Sequence, residues 1–162
     1  MLVYQDDSKK IDIDSLSGER WRPMLIQLTI VSALVAITVL VHGVSLDIIV
    51  RALRAIGIET LNRWRFISFS LVVLAIFSAH LIEIWIWAVF YFSIEEIPTF
   101  ETALYFSTSL FTTVGYADLT LSEEWRLLGS LESANGMILF GWSTAFIFAV
   151  VHRIYEHLYQ PR

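Results

Sequence analysis

The stretch Thr112 to Asp118, TTVGYAD, sets several oxygen atoms close together in an otherwise apolar chain. Thr113 offers a hydroxyl and a carbonyl, and Val114, Gly115 and Tyr116 offer carbonyls. Such oxygens take the place of water around a dehydrated cation when several strands meet on one axis. One chain supplies only one strand. The same residues also read as a tight turn between two helices, so the elements around them decide.

A second group of residues with chemistry lies in apolar surroundings. His80 and Glu83 are three apart and meet on one face of a helix, and an ionisable residue inside a membrane segment is a functional candidate by default. Three readings are open: a hydrogen-bonded pair that glues helices, which is preferred, a proton-sensitive brace against a neighbouring helix, and a metal site completed by His42. Glu132 and Asn135 add two more polar residues to an apolar run near the C-terminus. Glu132 is placed either against a neighbouring helix or Arg126, or in solvent near a helix start.

Composition excludes several classes. The chain has 162 residues, 56% of them apolar and none of them cysteine, so disulfides, thiolate metal sites and cysteine nucleophiles are out. A formal charge of -5 without a basic stripe speaks against a nucleic-acid partner. No paired catalytic groups converge outside the apolar runs, so neither an enzyme nor a cofactor is expected.

The elements that must position these residues follow from hydropathy. Residues 1–23 form a polar arm without sustained period. Residues 24–46 open with 18 uncharged residues, enough to cross a bilayer core of roughly 30 Å as a helix. Residues 47–65 carry Ile48, Ile49, Ala52, Leu53 and Ile56 on a helical stripe with Arg51 and Arg54 off it, which predicts an amphipathic segment on a membrane surface. A second span covers 66–92, with Trp85, Trp87 and Tyr91 crowding one end as at a headgroup interface. Thr102 to Val114 is apolar but holds only 13 residues, a length typical of re-entrant or interfacial segments, and Thr99 is placed to cap it. A final span covers 127–151, and residues 152–162 are a short tail. The expectation is an all-α membrane protein with three transmembrane helices and one re-entrant half-span.

In this order the segments resemble the pore module of the potassium-channel superfamily, with the extra N-terminal span of small bacterial three-span members. The family filter reads Thr-Val-Gly-Tyr-Gly-Asp, and here stand Thr113, Val114, Gly115, Tyr116, Ala117 and Asp118, preceded by a matching Thr112. The resemblance implies an outer helix at 66–92, a pore helix at 99–112, a filter at 113–118 and an inner helix at 127–151. It implies a homotetramer in lipid and K+ held at Thr113, Val114, Gly115 and Tyr116, with Ala117 at the outermost site. Tyr105 and Phe106 match an aromatic pair that braces the filter tyrosine, and Asp118 is set at the outer mouth. Gly136, with Gly141 as its rival, falls near the family's gating-hinge glycine, although close packing is the commoner role of small residues in membrane helices.

Two departures matter. Ala117 stands where the family has a glycine, usually at positive φ, and a residue with a Cβ pays roughly 1–2 kcal/mol there. Ser109 stands where some members carry a glutamate that pairs with the filter aspartate, which leaves Trp125, Arg126 or water for Asp118. The implied function is a passive potassium-channel-like cation channel of the cell membrane, with a non-conducting or accessory protein of the same fold as the alternative. Three spans with the filter outside put the N-terminus outside and the C-terminus in the cytoplasm. Lysine and arginine do not decide the point, since Lys9, Lys10, Arg20 and Arg22 on one side of the first span balance Arg51, Arg54, Arg63 and Arg65 on the other.

Overall fold

The computed structural model describes residues 21–116 and 118–159. Five helices follow one another: α1 (Trp21–Ile56), α2 (Ile58–Arg63), α3 (Arg65–Ser93), α4 (Phe100–Phe111) and α5 (Arg126–Tyr159), with no strand among the described residues. Three of them, α1, α3 and α5, are long and apolar enough to cross a membrane. With α4 only 12 residues long, about 18 Å at 1.5 Å per residue, a half-span follows.

The first span is longer than expected. No glycine or proline interrupts the chain between Leu46 and Ile56 beyond what a helix tolerates, and α1 passes through the boundary foreseen at residues 46 and 47. The stripe expected to lie on a membrane surface is instead divided. Leu46 and Ile49 are buried against Val72 and Ile76 of α3, with Phe146 and Val150 of α5 packed on the same cluster, while Ile48 and Ile56 stay exposed. Residues 47–63 are therefore the end of α1 and the short α2, separated by Gly57 at φ 80°, a conformation open to glycine at little cost, and Arg65 already opens α3. The tail behaves similarly, because α5 continues helically from 152 to Tyr159. Residues 1–20 of the polar arm and Ala117 lie outside the described residues.

The half-span has a defined start and stop. Thr99, extended at φ −132°, accepts the Thr102 N–H on its hydroxyl, which satisfies one of the orphan donors of the first turn. Pro98 just before it cannot extend a helix backwards. At the other end Thr112 is the last αR residue, and Thr113 turns to φ 61°, a left-handed conformation that a β-branched residue rarely adopts.

A single core joins four helices. Trp87 and Tyr91 of α3, Phe106 and Phe111 of α4 and Leu139 of α5 are all buried in it, with Leu34 of α1 on its edge. The outward faces of the long helices remain apolar, with Leu40 of α1, Phe77 of α3 and Ile138 of α5 among the most exposed residues. On a multi-pass membrane protein such faces meet lipid or other subunits.

Candidate functional site: the loop after the half-span

Thr113 to Tyr116 leaves the C-terminal end of α4 and is exposed throughout. Its backbone does not run as a simple strand: Thr113 and Gly115 have positive φ, at 61° and 56°, while Val114 and Tyr116 do not. In an extended strand successive residues share one φ/ψ well. Alternation between right- and left-handed backbone is the pattern by which successive peptide groups turn toward one side.

Ser109 holds this loop from the last turn of α4. Its carbonyl accepts the Gly115 N–H at 3.1 Å, and its hydroxyl accepts the Tyr116 N–H at 3.2 Å. The Thr113 N–H donates to the Leu110 carbonyl at 2.9 Å, and the Thr112 hydroxyl donates to the Thr108 carbonyl at 2.7 Å. The sequence marks Ser109 only as a missing glutamate. Its observed part, closing backbone groups six and seven residues ahead, has no signal in spacing or residue type.

The aromatic pair divides its work. Tyr105 lies parallel to Tyr116, with centroids 6.3 Å apart and planes within 6°, and its hydroxyl donates to Asp118 at 3.1 Å. Asp118 thus finds its partner on α4 rather than in Trp125 or Arg126. Phe106 points the other way and meets Tyr91 of α3 edge-on at 5.3 Å. Outside the loop, Glu96 accepts both the backbone N–H and the hydroxyl of Ser122, each at 2.9 Å, and so ties the two polar connections together.

Behind α4 sits Glu132, fully buried. It accepts the Tyr91 hydroxyl at 2.7 Å and the Ser107 hydroxyl at 2.6 Å, and Ser107 also lies 3.0 Å from the Ile84 carbonyl. One carboxyl group from α5 therefore pins α3 and α4 at once. Of the two placements open from sequence, contact with the half-span is the observed one.

Gly136 meets the end of the half-span. A Cβ added there would run into the Phe111 carbonyl oxygen, whereas Gly141 has open space at that position. Both lie inside one continuous helix. The geometry accounts for Gly136 by the close approach of α5 to the last turn of α4.

His42, His80 and Glu83 come together, all buried. Glu83 Oε1 lies 2.8 Å from His42 Nδ1, and Glu83 Oε2 lies 2.8 Å from His80 Nδ1. The pair foreseen on α3 thus reaches α1 as well. Asn135 of α5 adds a link to the same helix by donating to the Thr38 hydroxyl at 2.8 Å.

Comparison with known proteins agrees with this arrangement. Residues 79–153, just under half the chain and running from mid α3 through α4 and the loop into α5, match the protein-family model described as Ion channel. This stretch is therefore similar to ion-channel sequences, and three described helices are long and apolar enough to cross a membrane. No curated protein and no solved structure gives a match.

Proposed function

We propose that the protein is a homotetrameric channel that conducts K+ passively, with Thr113 to Tyr116 from four chains forming the ion-binding filter. The observation that carries this reading is the loop itself. It is held from behind by Ser109, it is exposed on the isolated chain, and it alternates in φ sign at Thr113 and Gly115. A single strand cannot enclose an ion, whereas four around one axis stack rings of oxygen that replace its hydration shell. The C-terminal end of α4, directly before the loop, carries the negative end of the helix dipole and favours a cation beyond it.

Exposed apolar residues near this face support assembly. Val114, Met137 and Ile138 are each more than half exposed, and neighbouring subunits would cover them. In this arrangement α3 is the outer helix, α4 the pore helix and α5 the inner helix, with α1 as the added span. Asp118 and Tyr105 stand at the outer mouth, the N-terminus faces outward and the C-terminus faces the cytoplasm. Ala117 tunes the outermost ion site, and Gly141, free of close neighbours, is the better placed of the two glycines for bending.

Flux from proteoliposomes tests the reading. The expected result is K+ movement blocked by barium, and the absence of any barium-sensitive monovalent cation flux would overturn it. Replacing Ala117 with glycine separates the channel from a non-conducting relative of the same fold. A change confined to selectivity fits a working channel, and flux appearing only in the glycine variant fits the non-conducting protein.

A further inference from the structure

The His42, His80 and Glu83 cluster has a fourth member. Ser143 of α5 places its hydroxyl oxygen 3.0 Å from His80 Nε2 and 3.3 Å from His42 Nε2. Together with the two 2.8 Å contacts to Glu83, this closes a ring in which each group touches two others: Glu83, His42, Ser143, His80 and back to Glu83. The ring joins α1, α3 and α5 inside the span region.

Four contacts need four hydrogens if each is a hydrogen bond. Ser143 brings one, two neutral imidazoles bring one each, and an ionised carboxylate brings none. One contact is then left without a hydrogen, and the ring carries a net negative charge in a site shut off from water. One additional proton cures both defects. Placed on an imidazole it gives an imidazolium beside a carboxylate; placed on Glu83 it gives a carboxylic acid and two neutral imidazoles of opposite tautomer. Either way all four contacts are filled and the net charge is zero, which is what burial in an apolar interior demands.

We infer that this ring is a binding site for a single proton, which ties the N-terminal span to the inner helix of the pore module. When the proton leaves, Glu83 accepts from both imidazoles and the Ser143 hydroxyl has one hydrogen for two acceptors. The longer contact, His42 to Ser143, is the one that opens, and with it the ring's own link between α1 and α5, leaving the Asn135–Thr38 bond as the remaining polar tie.

Among the described residues the surroundings contribute no competing charge. From α5, Trp142 and Phe140 face the ring at centroid distances of 5.2 Å to His42 and 4.5 Å to His80, and from α4 Phe111 faces His80 at 5.9 Å. Among the described residues the charges acting on Glu83 are those of His42 and His80. Asp47 on α1 is paired outward with Arg51, and Glu132 on α5 is bound to Tyr91 and Ser107. A divalent metal ion on the same three donors, which lie within 4.8 Å of one another, is the competing occupant. It would displace both 2.8 Å contacts and leave a net positive charge in place of a neutral ring.

Glu83→Gln is the informative variant, because its amide accepts from one imidazole and donates to the other. It supplies the fourth hydrogen without any ionisable proton. Above the ordinary histidine range the unfolded chain binds no such proton and the folded ring binds one, so stability must fall as pH rises through its release. The protein in lipid nanodiscs should lose midpoint temperature relative to Glu83→Gln as the pH rises above the ordinary histidine range, by about 2–4 °C or more. Equal pH dependence in the two proteins would overturn the inference. A wild-type measurement stands independently of that variant. Histidine 15N spectra with the carboxyl infrared band should count three protons shared by Glu83 and the two buried imidazoles near pH 7. A count of two, or stoichiometric Zn2+ retained by the wild type with a rise in midpoint, would overturn it.

Discussion

Tyr105 lies flat against Tyr116, 6.3 Å between centroids and 6° between planes, while the tip of the same side chain reaches Asp118. One residue of the half-span therefore braces both the last inner member of the carbonyl-bearing loop and the carboxylate beyond it. Tyr105→Phe keeps the stack and deletes the bond. An exposed hydrogen bond of this kind contributes about 0.5–1.5 kcal/mol, so global stability should hardly change. Hydrogen exchange should instead quicken at the Tyr116 and Asp118 amides, and unchanged exchange would show that the hydroxyl does not hold the outer loop.

Ser109 supports the loop through its side chain as well as its backbone. Ser109→Ala removes the acceptor of the Tyr116 N–H but leaves the Gly115 bond to the Ser109 carbonyl intact. Leaving a part-buried donor unpaired costs about 1–3 kcal/mol, felt locally. Flux assays on this variant should show weakened discrimination between K+ and Na+ with assembly preserved. Wild-type selectivity would place the support elsewhere.

The contact of Gly136 with the Phe111 carbonyl predicts a steep response to a single methyl group. Gly136→Ala forces α5 away from the end of α4, and overpacking of this sort costs about 1–3 kcal/mol or more. Gly141→Ala has open space and should be close to neutral. Thermal unfolding of the two variants side by side checks the contrast, and equal midpoints would refute the close approach.

Glu132 pins Tyr91 and Ser107 from a fully buried position. Glu132→Gln keeps an acceptor for the Tyr91 hydroxyl and a group that can bond Ser107, so it should be mild. Glu132→Ala strands the Tyr91 hydroxyl, leaves Ser107 only the Ile84 carbonyl and opens a void, a loss of about 2–5 kcal/mol by analogy with other buried truncations. Midpoint temperatures and yield of folded protein measure the difference.

Much of this was readable in the chain because membrane segments are written in length and polarity. An apolar run of 13 residues between two runs of spanning length is too short to span and reads as a re-entrant or interfacial segment, and Thr99 after Pro98 signals its start. The loop after it announces itself through Gly115 and the threonines. Partnerships across long sequence distances were not readable. Periodicity puts His80 and Glu83 on one face, but His42, 41 residues before Glu83, enters only through the metal-site reading and not as a hydrogen-bond partner, and nothing says that Asn135 reaches Thr38. The boundary expected at residues 46 and 47, which lies inside α1, was hard to read for a related reason. An amphipathic stripe looks the same whether its apolar side meets lipid or the flank of α3, and Ile49 meets Val72 and Ile76. Likewise a glycine in a helix reads as hinge or contact until the neighbouring carbonyl is located.

The central claim is that Thr113 to Tyr116 of four chains hold dehydrated K+ on a common axis. A density map of the assembled protein in lipid with K+ present tests it most directly. The expected map shows a four-fold assembly with ion density between successive rings of Thr113, Val114, Gly115 and Tyr116 oxygens. A map in which the assembly lacks that axis, or in which these carbonyls turn away from it and no ions are bound, would contradict it.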